Sequence, residues 1–318
     1  MRFSFSRSTS AGLMAALFLS LTASTARAQA APVKHIVTAD GHPLALWEKR
    51  AANPKGTILL LHGRTWSSLP DFDLQVPGEH RSLMDALVAR GYAVYALDLR
   101  GYGATPRDAS GWDTPDRSAE DLSAALAWVT RNSGVEGKPA LLGWSNGSTV
   151  SILCAQRHPD QISALILTGY WKHPDSMIVA VPDTAKPARE KTTATAAASD
   201  FIAPNAISKK AVDAYVAAAL KADPVRTDWR RLEQFNALDP AKVTTPTLLI
   251  QGELDPIAPT ATQAAFFSRL GTPDRAWVVM AGGDHASLIE NMQPAFVAAV
   301  VGFLERPVWH RQDGLERR

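Results

Sequence analysis

Gly143-Trp144-Ser145-Asn146-Gly147 closes a short apolar run, residues 139–142, and opens a helix-like segment. A serine flanked by glycines at a strand-to-helix transition is the setting of a nucleophile elbow, a strained turn that lifts a hydroxyl above a sheet. Alone, the pattern is weak: at ordinary glycine and serine frequencies it arises in roughly one chain of this length in ten. Its meaning depends on its surroundings.

Outward from the elbow, strand-like runs recur at 57–61, 93–97, 164–167, 247–250 and 277–280. Continuous apolar runs of this kind suit strands covered on both faces. Amphipathic helices lie between them, one of them opening at Ser118, where Ser118 and Asp121 resemble a capping box and Leu122, Ala125, Leu126 and Val129 share a face. The alternation predicts an α/β fold with a doubly wound, mostly parallel sheet of right-handed βαβ units. Residues 36–38 and 44–47, joined near Gly41-His42-Pro43, predict an N-terminal hairpin.

The alternation breaks between Tyr170 and Pro240. This predicts a helical cap, residues 171–240, inserted between core segments 29–170 and 241–318. Val212, Tyr215, Val216 and Leu220 recur there at helical spacing, and Trp229, Leu232 and Phe235 mark a second amphipathic piece. The Ala/Thr stretch 192–199 has nothing large to bury and is expected to be mobile.

Arg2 and Arg7 precede an apolar stretch, 11–21, followed by Ala26-Arg27-Ala28 and Ala28-Gln29-Ala30. These features read as a secretory signal peptide over residues 1–28 and predict a periplasmic or secreted protein. Ser20, Thr22, Ser24 and Thr25 interrupt the run before the ~18 apolar residues a span requires, so no stable membrane insertion is expected after cleavage. The polar, Arg-rich tail after Pro307 reads as a frayed terminus.

With 33 Lys and Arg against 31 Asp and Glu, the chain offers no basic patch for nucleic acid and no acidic tail. Its single cysteine, Cys154, cannot form an internal disulfide and sits among Val150, Ile152 and Leu153, as a buried thiol does. No HxxEH motif or Cys/His cluster points to a metal, and Gly101-Tyr102-Gly103 lacks the third glycine of a dinucleotide site. Cofactor-free chemistry is expected. Oligomeric state leaves no signal.

A serine hydroxyl needs a base to take its proton and an anion to orient that base. Ligands collect beyond the carboxyl ends of the strands in a doubly wound sheet, so both partners should follow strand runs. Asp255 does so in Gln251-Gly252-Glu253-Leu254-Asp255-Pro256, ahead of its rivals Glu253 and Asp239. His285 does so after Ala281-Gly282-Gly283-Asp284, whereas the other seven histidines lie elsewhere in the chain. The oxyanion of an acyl-transfer intermediate needs two N–H donors. Asn146 should supply one and Arg64, after Leu61-His62-Gly63, the other, with Thr65 as second choice.

With these residues in place, the chain resembles the α/β-hydrolase fold superfamily in its serine-nucleophile branch. The match rests on His62-Gly63, on Asp98-Leu99-Arg100-Gly101-Tyr102-Gly103, on the Ser145 elbow and on the Asp255 and His285 loops, in that order. The resemblance implies a Ser145, His285, Asp255 triad. Asp284 departs from it, since relatives often carry glycine there, and its carboxylate is expected to raise the pKa of His285. His62, Asp98 and Arg100 are expected to be structural, the latter two holding their turn by local hydrogen bonds. Trp66 and Trp171 are candidate pocket residues, and the Arg64 side chain is read as solvated.

The implied function is a serine hydrolase that cleaves small-molecule or polymeric carboxylic esters through an acyl-enzyme on Ser145. Ser148-Thr149-Val150 and a helical cap also resemble serine aminopeptidases, which need an anionic subsite for an amine; Glu190, Asp200 and Asp213 are the candidates. A non-catalytic binding protein of the same fold is the third reading, although such proteins usually lose a triad member or an oxyanion glycine, and none is missing.

Overall fold

The computed structural model describes Met1 and residues 30–182 and 186–307, and every element below belongs to the body that begins at Ala31. The signal-peptide reading rests on residues 2–29 and the frayed-tail reading on residues after Pro307; both lie outside the described residues.

Eight strands form one sheet: β1 (Val33–Ala39), β2 (His42–Arg50), β3 (Thr57–Leu61), β4 (Ala93–Leu97), β5 (Ala140–Trp144), β6 (Leu165–Thr168), β7 (Thr247–Gly252) and β8 (Arg275–Met280). Their spatial order is β1-β2-β4-β3-β5-β6-β7-β8. β1 and β2 form the expected antiparallel hairpin, β2 runs antiparallel to β4, and all other pairs are parallel. Each apolar run is therefore a strand, displaced by a residue or two at its ends. β3, β4 and β5 are buried along their whole length, as strands covered on both faces must be. β8 is the exception: it is an edge strand, and its outer side chains are partly exposed.

Alternate side chains feed two cores. The helices that flank or follow the strands include α1 (Ser68–Phe72), α2 (Leu83–Ala89), α3 (Pro115–Asn132), α4 (Asn146–Arg157), α7 (Thr260–Arg269) and α8 (Gln293–Leu304). Leu59, Leu61, Leu141 and Leu167 face α3 and α4, while Ile58, Leu60, Leu142 and Ile250 face α2 and α8. Cys154 is buried in the first core, where burial raises its thiol pKa far above the usual range. The cap of α3 falls one turn earlier than expected. Pro115 occupies the first turn and Thr114 Oγ1 accepts the Arg117 N–H at 3.3 Å, while Ser118 is buried inside the helix.

Between β6 and β7 the chain builds α5 (Ala194–Ala198) and α6 (Lys209–Ala222). The buried ridge of α6 is Ala211, Tyr215 and Ala219; Val212, Val216 and Leu220 flank it, half-buried. Trp229 is not part of a helix with Leu232 and Phe235: it sits on a two-residue strand paired with Trp112–Asp113, and a 3-10 helix follows at Leu232–Ala237. The stretch 192–199, expected to be mobile, forms a helix instead. Thr193 caps α5 by accepting the Ala196 N–H at 3.1 Å, and Ala197 is buried in the same core as α6. No helix among the described residues is long and apolar enough to cross a membrane.

Candidate active site

The turn from β5 to α4 places Ser145 at φ 56°, ψ −120°, a backbone conformation a side chain adopts only at a cost of about 1–3 kcal/mol. Neighbouring contacts hold it there. The Ser145 N–H donates to Thr168 O at 2.9 Å, and Ser148 Oγ lies 2.6 Å from Gly143 O and 2.7 Å from Thr168 O. Both glycines of the elbow are sterically required: a Cβ on Gly143 would lie 2.5 Å from Gly147 O, and one on Gly147 would lie 2.3 Å from Leu61 O. Strand, turn and helix thus pack too closely for a side chain at either glycine.

Beyond the ends of β7 and β8, Asp255 and His285 meet. The Asp255 Oδ2 lies 2.9 Å from His285 Nδ1, and both side chains are buried. Asp255 Oδ1 accepts the N–H groups of Ile257 at 2.8 Å and Ala258 at 3.1 Å, which fixes the carboxylate plane. Because the carboxylate only accepts, Nδ1 carries the imidazole proton and Nε2 is left with a free lone pair.

Gly169 marks where Ser145 and His285 converge. At φ 66° it follows β6, and a Cβ there would lie 2.7 Å from His285 Cε1 and 3.4 Å from Ser145 N. Trp144 braces the same space, its indole N–H donating to His285 O at 2.7 Å. In the sequence Trp144 is one of four tryptophans, with Trp66, Trp112 and Trp171, that flank the motif loops; its part here is to brace the loop bearing His285.

The loop after β3 closes the other side. A Cβ on Gly63 would lie 3.2 Å from the Ser145 Cβ, so this loop abuts the serine. His62 is structural, as expected: Nε2 accepts the Leu99 N–H at 3.1 Å, leaving Nδ1–H to donate to Gly63 O at 2.8 Å. Burial lowers its pKa. Neither the Asn146 nor the Arg64 N–H bonds another group among the described residues, which leaves both candidate oxyanion donors free for a ligand. Thr65 is the less suitable choice, held at φ 102° with its amide turned to the Tyr102 hydroxyl.

Asp98 and Arg100 are structural too, by contacts of longer range than expected. Asp98 accepts from the Trp47 indole, the Ser68 amide and the Ala104 amide; Arg100 makes a bidentate pair with Asp121 of α3 at 2.7 and 2.8 Å. Asp284 turns its carboxylate to the amides of Ile202, Ala203 and Ala286.

A cavity of about 340 Å³ opens beside this arrangement, lined by Thr65, Trp66, Glu190, Asp200 and Arg226 among others. Trp66 lines this cavity with its indole beside Asp200. Burial, offset by the nearby His285 and by that indole, raises the Asp200 pKa to about 6. Trp171 instead packs edge-on against Phe235, their centroids 6.2 Å apart. Asp213 is exposed and pairs with Lys209 on the outer face of α6. Asp71, which the sequence gave no reason to single out, is fully enclosed: it accepts the Gly63 N–H at 3.3 Å and the Tyr215 hydroxyl at 2.9 Å, and burial raises its pKa well above the carboxylate range. No group of three His, Cys, Asp or Glu among the described residues is placed to hold a metal ion.

Comparison with known families bears on this geometry, because the family model described as serine aminopeptidase, S33, matches residues 52–292. The chain belongs to the serine aminopeptidase S33 family. As an S33-family protein it is a serine hydrolase of the α/β-hydrolase superfamily. It is 24% identical over 294 residues to 2-hydroxy-6-oxo-6-(2'-aminophenyl)hexa-2,4-dienoic acid hydrolase of Metapseudomonas resinovorans, covering 88% of this chain and 93% of that one. It is 31% identical over 129 residues to the human serine hydrolase BPHL, spanning 38% of this chain and 39% of that one. A 33% identical stretch of 94 residues matches a pimeloyl-[acyl-carrier protein] methyl ester esterase of Neisseria meningitidis, covering 29% of this chain and 32% of that one. Among solved structures, the thioesterase domain from a curacin biosynthetic pathway superposes with a TM-score of 0.62 at 18% identity, covering 86% of this chain and all of that one. This likeness reflects the fold.

Proposed function

We propose that this protein is an exported hydrolase of carboxylic esters that acts through an acyl-enzyme on Ser145. The observation that carries the reading is the buried Asp255–His285 pair, which shares with the strained Ser145 the small space beside Gly169. In this mechanism Ser145 attacks the carbonyl and His285 Nε2 takes its proton, then returns it to the leaving alcohol. Asp255 stabilises the imidazolium, and the Asn146 and Arg64 N–H groups hold the oxyanion, each for about 3 kcal/mol of barrier. Water activated by His285 then releases the acid. A methyl ester esterase among the similar proteins supports an ester as the bond cleaved.

Ser145→Ala should abolish p-nitrophenyl ester turnover; wild-type turnover in that variant would sink the assignment. Export follows from residues 2–29 and is tested by the N-terminal mass of protein recovered outside the cytoplasm.

One observation favours a second reading, cleavage of an amide next to a free amine. Asp200 and Glu190 line the cavity beside the oxyanion loop, where a carboxylate could receive an ammonium. Faster turnover of amino-acid p-nitroanilides than of simple esters would put this reading first.

A further inference from the structure

Asp284 directly precedes the candidate base and is buried. Its Oδ2 accepts two successive N–H groups of the inserted segment, from Ile202 at 2.6 Å and Ala203 at 2.5 Å, while its Oδ1 accepts the Ala286 N–H at 2.9 Å. The same two stretches touch again a few residues on. Asn291 donates its N–H to Ala206 O at 2.8 Å and its side-chain amide to Asn205 O at 3.1 Å. Segment 202–206 is therefore laced to loop 284–291 along its length, and Asp200, which reaches into the cavity by the oxyanion loop, stands two residues before the lacing starts.

We propose that Asp284 is a positioning residue whose one carboxylate ties the inserted segment to the loop bearing His285, so that imidazole orientation and the placement of Asp200 over the pocket are set together. The proposal rests on His285 being the base of the reaction.

Glu290 is the built-in control on this clasp. It is buried, its Oε2 accepts the Asp284 N–H at 3.1 Å, and its Oε1 is a buried oxygen with no hydrogen-bond partner among the described residues, beside the Asp284 carboxylate. Two buried carboxyls side by side repel unless one holds a proton, which the unpartnered Oε1 can carry toward Asp284. The charged or titratable groups around the pair are His285 on the same loop, Asp255 after β7, Asp200 from the inserted segment, and Arg81 before α2, which donates to Ile289 O and Asn291 Oδ1 and pairs with Glu79. Burial, then Asp284, raise the Glu290 pKa to about 8. The closed clasp binds this proton more tightly than an opened one. Its contribution is thus complete below the ordinary carboxylate range and is lost as pH rises through about 8.

The test compares pH profiles of ester kcat/KM with hydrogen exchange of the 202 and 203 amides in wild type, Glu290→Gln and Asp284→Asn. A carboxamide at 290 donates to Asp284 at any pH. Glu290→Gln should therefore match wild type within about twofold at pH 6.5 and keep its activity at pH 9, where wild type falls. Asp284→Asn presents an N–H₂ to at least one N–H donor; it should speed exchange at 202 and 203 about tenfold and raise KM more than it lowers kcat. Superimposable alkaline limbs for Glu290→Gln and wild type would overturn the proposal, as would unchanged exchange in Asp284→Asn. Should Asp284→Asn fail to fold, the isosteric Glu290→Gln still decides. Turnover surviving in Ser145→Ala would instead overturn the reading of the site, and the exchange data would still report on the clasp.

Discussion

Asp255 meets His285 through one oxygen only: Oδ2 faces Nδ1 at 2.9 Å, while Oδ1 is held by the amides of Ile257 and Ala258. An asparagine at this position has no freedom to flip. Its carbonyl must take the place that receives two N–H donors, which turns its N–H₂ toward the imidazole. Nδ1 then has to accept, Nε2 becomes protonated, and the base is lost without any displacement of atoms. Asp255→Asn should lower ester kcat by about 10³–10⁴ at neutral pH while leaving the thermal midpoint nearly unchanged. A kcat within tenfold of wild type would show that Asp255 does not orient the base.

Gly169 tests whether the shared space is as tight as its geometry states. An alanine methyl would meet His285 Cε1 at 2.7 Å, at a residue whose φ is 66°. Steric conflict and backbone strain act together, so Gly169→Ala should lose more than about 1 kcal/mol of stability and shift the ring. Ester kcat should fall by more than the fraction unfolded accounts for, read from activity and circular dichroism on one sample.

The Arg100–Asp121 pair is predicted to matter for stability and not for chemistry. Both side chains are buried, and the guanidinium also donates to Ala39 O, so removing the Asp121 carboxylate leaves Arg100 only the longer pair with Asp108 at 3.6 Å. Asp121→Ala should cost about 1.5–3 kcal/mol in urea unfolding, with kcat per folded molecule unchanged.

Several buried carboxylates set the response of stability to pH. Burial, more than any other influence, raises the pKa of Asp113 to about 7 and that of Asp223 to about 6. The folded state therefore holds protons that the unfolded chain releases near pH 4. The contribution of these groups is complete below the ordinary carboxylate range and disappears as pH rises through 6 to 7. Asp113→Asn should raise the melting temperature at pH 8 relative to wild type and change it less at pH 5; an equal shift at both would contradict the assignment.

How much of this was legible follows from the kind of constraint each residue meets. The strands were readable because burial on both faces demands continuous apolar residues, as in Thr57–Leu61, and the elbow because its close packing admits only glycine at 143 and 147, two positions either side of Ser145. Asp255 and His285 were readable because strand ends are where a parallel sheet offers side chains to a ligand. The contacts of Asp71, Tyr215 and Asp284 were not. Their partners are backbone amides and side chains brought near by packing between sheet and insertion, and backbone groups leave no pattern in sequence. The misplaced cap of α3 is a smaller case: Thr114 and Ser118 both offered a hydroxyl, and Pro115, which fits the first turn of a helix, was the deciding signal. The α5 stretch misled because a helix needs little to bury when one alanine, Ala197, packs fully.

The central claim is that Ser145 is a nucleophile activated by His285. Its most direct test is intact-mass and peptide-mapping spectrometry after brief exposure to a fluorophosphonate. The account predicts one adduct, on the peptide containing Ser145, with labelling abolished in Ser145→Ala and at least about a thousandfold slower in His285→Ala. Undiminished labelling of Ser145→Ala, or an adduct mapped to another residue, would contradict it.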